Sequence, residues 1–163
     1  MPTTTVPDTD QLALEKQVCF ALAVTNRAVL AVYRPLLEPL GLTHPQYLVM
    51  LALWDHQKAT AADETPLSVK QIASALQLDS ATLSPMLKRL EALGLITRTR
   101  SAADERSTDV DLTDQGTALR RQALEIPSAV VGRLGVDVAE LEELHRVLTH
   151  INSAALAAGV QNV

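Results

Sequence analysis

Residues 67–116 read LSVKQIASALQLDSATLSPMLKRLEALGLITRTRSAADERSTDVDLTDQG, and the succession of patterns inside this stretch decides the fold. Ser68 precedes a short helical pattern that runs to Leu76 with Ile72, Ala73 and Leu76 apolar. The residues QLD form a tight turn. Asp79 or Ser80 then caps a second helix, in which Leu83, Leu87, Leu90 and Leu93 recur along one stripe, and Gly94 occupies the C′ position. Two short helices joined by a tight turn make a helix-turn-helix. LITRTR and STDVDLT both alternate in polarity around the turn-like SAADER, which predicts a β-hairpin, a wing, directly after the second helix. Thr113 is placed to cap a further helix reaching about Ile126, where Pro127 is expected to end it.

Outward from this module the chain is helical. Residues 10 to about 37 keep a period near 3.6, with Cys19, Leu22, Ala23, Asn26, Leu30, Tyr33 and Leu37 on one stripe, and Pro39 and Gly41 stop the helix. Thr43 caps HPQYLVMLALWDH, whose inward candidates are Tyr47, Leu48, Leu51 and Trp54; QKATAADETP follows as a polar loop. A last helix from 137 to about 158 repeats Leu141, Leu144, Leu148, Ile151 and Ala155. The expected architecture is mainly α with a small β-hairpin wing. Residues 1–9 form a frayed arm and 10–163 a single domain, with the winged helix at 43–112. The flanking helices, 10–37 and 114–160, carry more apolar surface than the module can cover, and a second copy of the chain would bury it. A monomeric bundle is the competing reading.

The bulk composition fits this plan. The chain has 163 residues, 47% hydrophobic, 20% charged and 2% aromatic, so Leu, Val, Ile and Ala must build the core. The segment MPTTTVPDTD has neither the basic nor the apolar region of a signal peptide, and no apolar run is expected to reach the roughly 18 residues of a membrane span. One cysteine makes no internal disulfide, and His145 and His150 are poorly spaced for a metal; no metal and no cofactor are expected, and the expected location is the cytoplasm. Net charge is −5, but residues 70–106 hold six basic and four acidic side chains while the rest holds eight and fifteen. A basic centre therefore sits in an acidic frame, as a nucleic-acid-binding module would require.

The second helix of the module is suited to the major groove. Ser80, Ala81, Thr82, Ser84 and Pro85 face away from the leucine stripe and are small or hydroxylated, with Lys88 and Arg89 following at phosphate distance. Pro85 costs less near the first turn than deeper in a helix, and its ring can meet a thymine methyl. In the wing, Arg106 beside Asp104 is placed to enter an A·T-rich minor groove, and Arg98 and Arg100 to follow phosphates. The plainer alternative treats these as ordinary surface arginines.

The stretch LDSATLSPMLKRLEALGLITRTRSAADERSTDVDLTDQG resembles the winged helix of the MarR family of dimeric bacterial regulators, through the D-x-R of its wing tip and the L-T-x-x-G that follows. LEKQVCFAL, YRPLLEPLGLTHPQYLVMLALWDH and LSPMLKRLE narrow the likeness to the organic-hydroperoxide-sensing, OhrR-like branch; it spans residues 14 to about 127. The resemblance implies a homodimer on an inverted-repeat operator in double-stranded DNA. It also implies a sensing thiolate at Cys19, hydrogen-bonded by tyrosines of the partner subunit. Tyr33 matches one of these. The other tyrosine position, just before PQY, is His44 here, and a third is Ala23.

Chain geometry agrees with a cross-subunit pairing. Fourteen residues of helix rise roughly 21 Å, so Cys19 and Tyr33 of one chain cannot meet, whereas antiparallel helices about a two-fold axis would bring them together. His44 can donate a hydrogen bond, favour the thiolate more strongly if protonated, or serve only near the cap. The implied chemistry is oxidation of Cys19 by an organic hydroperoxide to a sulfenic acid, followed by a small cellular thiol or by further oxidation, with release of the operator. Two readings compete: a MarR-type repressor answering a small phenolic or aromatic ligand, with Cys19 merely buried, and a one-cysteine thiol peroxidase, for which no β-α-β pattern is visible. A repressor, not an enzyme, is expected.

Overall fold

The structure, a computed structural model, describes residues 11–60 and 65–159; the expected arm at 1–9 lies outside the described residues. A 3-10 turn (Leu14–Lys16) leads into α1 (Val18–Leu37), followed by α2 (His44–Ala59), β1 (Leu67–Ser68), α3 (Val69–Leu76) and α4 (Ser80–Ala92). Strands β2 (Ile96–Arg100) and β3 (Thr108–Leu112) precede α5 (Asp114–Ala123), α6 (Ile126–Leu134) and α7 (Val138–Ala157). Helices α3 and α4 with the β2–β3 hairpin are the winged helix-turn-helix. The sheet has a third strand, because β1 pairs antiparallel with β3 (Leu67 opposite Val110, Ser68 opposite Asp109), giving the order β1-β3-β2.

Local chemistry sets the boundaries. Thr43 and Ser68 each form a capping box, with Gln46 and Gln71 answering their backbone N–H groups. Asp79 caps α4 by accepting from the Thr82 N–H at 2.7 Å. Helix α4 ends in a Schellman motif: Gly94 takes φ +74°, its N–H donates to the Glu91 carbonyl at 2.9 Å, and the Leu95 N–H donates to the Leu90 carbonyl at 3.1 Å. That geometry moves the apolar contact from Leu93, which is 44% exposed, to Leu95, which is buried. Leu83, Leu87 and Leu90 are buried as the stripe required. Each contributes about 1.5–3 kcal/mol, so together they outweigh the roughly 3 kcal/mol that Pro85 can cost α4.

Several expectations are corrected. Helix α1 begins at Val18, because Gln17 is extended and its amide folds back to donate to the Gln11 carbonyl at 2.6 Å. Pro127 does not end a helix; it lies in the first turn of α6, where a missing N–H costs nothing. In α2 the inward residues are Tyr47, Val49, Met50, Leu53 and Trp54, while Leu48 and Leu51 are 38% and 40% exposed. The helix packs against α1, α3, α4 and α5, and these neighbours set its buried arc.

One junction fastens the module to the rest. The Thr113 hydroxyl donates to the Gly94 carbonyl at 2.6 Å and accepts from the Gly116 N–H at 3.0 Å, and the Thr113 N–H donates to the Leu95 carbonyl at 3.0 Å. From α2, the buried Trp54 indole donates to the Gly116 carbonyl at 2.9 Å. A Cβ on Gly116 would lie 2.0 Å from the Leu95 carbonyl oxygen, so this position admits only glycine.

Gly116→Ala should therefore lower the urea midpoint by the equivalent of about 1–3 kcal/mol or more at fixed protein concentration. Gly132→Ala, where an added Cβ meets nothing within 4 Å inside α6, should be neutral or raise it by up to about 1 kcal/mol. Equal midpoints for the two variants would mean that the close approach at Gly116 constrains nothing.

Candidate functional site

The outer face of α4 exposes Ser80, Ala81, Thr82, Ser84, Pro85, Lys88 and Arg89, as the leucine stripe on its opposite face demands. Two of its polar groups have local commitments. The Thr82 hydroxyl donates to Asp79 Oδ2 at 2.7 Å, which commits its proton while the residue stays exposed. Asp79 in turn is held below the usual carboxylate range, first by this side-chain bond and then by the Thr82 N–H. Pro85 deprives the Ala81 carbonyl of its usual helical partner, and both residues are exposed, so water can serve that carbonyl.

At the wing tip Asp104 works on the backbone. Its carboxylate accepts from the Arg106 N–H at 3.0 Å, and the Ser107 N–H donates to its carbonyl at 2.9 Å, a compact turn that holds Arg106 exposed at the apex. Arg100 is also exposed. Arg98 is not held out toward phosphates: its guanidinium donates to Glu91 Oε2 from Nε at 3.1 Å and from Nη2 at 2.8 Å. Period-two alternation puts Ile96, Arg98 and Arg100 on one face of β2; Arg98, next to the buried Ile96, is the one that reaches Glu91 of α4, while Arg100 at the end of the strand is exposed.

A second constellation lies where α1 meets α2. Tyr33 and His44 pack edge to face with ring centroids 4.8 Å apart, and Tyr47 completes the group at 6.1 Å from Tyr33 and 6.3 Å from His44. Tyr47 stands one helical turn after His44 on α2, a spacing visible in the sequence and read there only as core. Burial, then the nearby Tyr33, pushes the Tyr47 hydroxyl above its ordinary value. Burial also lowers His44 below 6.5, and its place in the first turn of α2 disfavours a cation further, so the ring is mainly neutral near pH 7. Beside His44 an open cavity of about 600 Å³ is walled by Leu30, Arg34, Leu37 and Leu42.

Cys19 sits at the opposite end of α1 and is exposed. It is not near Tyr33 within the protomer. Leu37 is the sole buried residue of α1, and α7 has none, leaving Leu144, Val147, Leu148, Ile151 and Leu156 open by 37–46%. The stretch Val18–Leu40 is in fact long and apolar enough, by length and composition, to cross a membrane, a correction to the sequence reading. Among the described residues no cluster of three His, Cys, Asp or Glu side chains suits a metal ion.

Residues 31–122 match the family described as transcriptional regulator SarA/Rot. Over 139 residues the chain is 42% identical to the organic hydroperoxide resistance transcriptional regulator of Bacillus subtilis (strain 168), spanning 85% of this chain and 89% of that protein. The chain belongs to the MarR-type winged-helix transcriptional regulators. This regulator superposes on reduced AbfR bound to DNA with a TM-score of 0.76 and 31% identity, covering 93% of this chain and 99% of that one. Its likeness to the disulfide form of AbfR has a TM-score of 0.57 at 32% identity, over 89% and 91% of the two chains.

The depressed His44 pKa makes a prediction for the regulator. As pH falls below about 7 the unfolded chain takes up this proton first, since His44 titrates lower when folded; stability contributed by neutral His44 is full above 6.5 and is lost as pH falls toward the folded value. In urea titrations between pH 7.5 and 5.5 the midpoint of the wild type should decline more steeply than that of His44→Gln. Parallel declines would show that the ring is not held neutral by its surroundings.

Proposed function

We propose that this regulator is a homodimeric repressor of an inverted-repeat operator that senses organic hydroperoxides through Cys19. The observation that carries the reading is the division of α1: an exposed thiol at one end and the Tyr33–His44–Tyr47 cluster at the other, on a helix that buries only Leu37 fully and leaves Val18 and Leu22 exposed beside Cys19. Helix α1 with α5–α7 supplies the dimer contacts in this reading. Two α1 helices running antiparallel across the two-fold set each Cys19 against the partner's aromatic cluster, which supplies the hydrogen bonds a thiolate needs. The name of the Bacillus relative and the redox forms solved for AbfR both support this chemistry.

The thiolate sulfur of Cys19 attacks one oxygen of the hydroperoxide; the O–O bond breaks, the alkoxide leaves and takes up a proton as the alcohol, and Cys19 becomes a sulfenic acid. The chain has a single cysteine, so a small cellular thiol completes the step, forming a mixed disulfide with loss of water. The open cavity beside His44 would admit the organic part of the oxidant. The bulky adduct separates the Cys19 end of one α1 from the cluster on the other subunit, and the spacing of the two winged helices shifts.

On DNA, the two α4 helices would read half-sites about 34 Å apart. Ser80, Thr82, Ser84 and Pro85 would face base edges, Lys88, Arg89 and Arg100 the phosphates, and Arg106, oriented by Asp104, the minor groove. The donor and the thiol belong to different subunits, so mixed dimers give the sharpest test. The probe is an inverted-repeat duplex that the wild-type protein selects from random-sequence DNA. Cys19→Ser should bind it and stay bound after addition of cumene hydroperoxide and a small thiol, and Tyr33→Phe should oxidise and release slowly. A heterodimer of Cys19→Ser with Tyr33→Phe contains one intact thiol–phenol pair and should respond faster than the Tyr33→Phe homodimer. A response no faster than that homodimer would contradict the cross-subunit site, and release of Cys19→Ser would favour a non-covalent small ligand instead.

A further inference from the structure

The fork between Arg98 and Glu91 joins the two elements that meet DNA. Glu91 lies in the last turn of α4 and Arg98 in the middle of β2; between them the chain reverses through Gly94 at φ +74°. Both guanidinium donors converge on Glu91 Oε2, at 3.1 and 2.8 Å, with the two side chains 24% and 39% exposed. Bonding to Arg98 holds the Glu91 carboxyl below its ordinary range. Arg98 also stands opposite Val110 in the hairpin, a residue buried at 1% exposure, so its stem is held by the hairpin's packed face while its head reaches α4. Elsewhere α4 and the hairpin are joined by the shared core of Leu87, Leu90, Leu95, Ile96 and Val110 and, at the hinge itself, by the bonds of Thr113 to the Gly94 and Leu95 carbonyls; the fork is the side-chain ion pair made beyond the hinge.

We propose that the Glu91–Arg98 pair is a strut that fixes the angle of the wing to the recognition helix, so that Arg98 is a positioning residue for operator binding and not a phosphate ligand. The inference rests on the reading of α4 and the wing as the DNA-contacting elements. A recognition helix in the major groove and an arginine in the adjacent minor groove must engage at once. Ordering the wing before DNA arrives removes that ordering cost from binding. Arg98 is suited to the task because its rigid planar guanidinium fixes the direction of the Nε and Nη2 donors that meet on Glu91, whereas an ammonium is a compact charge on a flexible stem.

The strut and the phosphate ligand make opposite demands on Glu91. If Arg98 served a phosphate, Glu91 would only oppose the DNA charge, and Glu91→Gln would tighten binding. If the pair is a strut, Glu91→Gln weakens binding although it removes a negative charge. We expect a loss of about threefold to fivefold for Glu91→Gln, for Arg98→Gln and for the charge-conserving Arg98→Lys, with the double variant Glu91→Gln/Arg98→Gln no worse than either single. The salt dependence of binding should stay at the wild-type slope in all of them, while Arg106→Ala, as a control, should lower that slope by about one or less. Affinities are measured on the selected inverted-repeat duplex from 50 to 200 mM salt, about the range over which phosphate contacts declare themselves. Circular dichroism and urea midpoints confirm that each variant is folded, and Glu91→Asp, which keeps the charge but shortens the reach, supplies a further arm expected to weaken binding. Tighter or unchanged binding by Glu91→Gln, retention of affinity by Arg98→Lys, or a slope reduced by about 0.9 in Arg98→Gln would overturn the strut. Failure of the wild-type protein to select any duplex would instead overturn the operator reading on which it rests.

Discussion

The backbone of Gly116 lies so close to the Leu95 carbonyl that no side chain fits between them, and this approach sets the relation of the DNA-reading module to the rest of the chain. Four segments meet there: the end of α4 at Gly94 and Leu95, the end of β3 at Thr113, the first turn of α5 at Gly116, and α2 through the Trp54 indole. The indole N–H is buried and needs an acceptor, and the Gly116 carbonyl provides it. Ten residues earlier, roughly 15 Å back along α2, stands His44 with Tyr33 and, one turn on, Tyr47. A single helix therefore carries the aromatic cluster at one end and the junction of the wing at the other. In the proposed switch, α2 is the element through which a change at the subunit seam reaches the module.

Electrostatics complements this mechanical plan. A chain of net charge −5 is a poor DNA ligand unless its acidic groups are kept from the binding face. Within the module they are used locally: Asp79 caps α4, Glu91 holds Arg98, and Asp104 orders the turn before Arg106. Lys88, Arg89, Arg100 and Arg106 stay outward. Three of the four acids in the basic centre thus organise the surface from which the cations project, and one cation, Arg98, has joined them in that work.

Sequence patterns revealed what local chemistry determines. The caps at Thr43, Ser68 and Thr113 and the C′ glycine at 94 each depend on residues within four positions and are as expected, and of the two candidates for the α4 cap, Asp79 and Ser80, the cap is Asp79. What escaped depends on partners distant in the chain. Strand β1 has two residues and exists only through pairing with β3; Leu48 and Leu51 share the helical period of core residues yet are exposed, because periodicity does not say which faces have neighbours. Pro127 suits a helix stop and a helix start equally well by sequence, and here it lies in the first turn of α6. Arg98 looked like its neighbour Arg100, and only the packing of α4 against β2 separates them. Tyr47 was legible as core but not as a neighbour of Tyr33, because the turn at Gly41 that folds α1 back on α2 leaves no periodic trace.

The central claim, that oxidation of the lone thiol releases DNA, is tested most directly by titrating the selected inverted-repeat duplex with reduced protein, then with protein treated with cumene hydroperoxide and a small thiol, while intact mass follows Cys19. The account predicts tight binding by the reduced form and a loss of affinity that advances in step with the fraction of Cys19 carrying the mixed disulfide. Complete modification of Cys19 with operator affinity unchanged would contradict it.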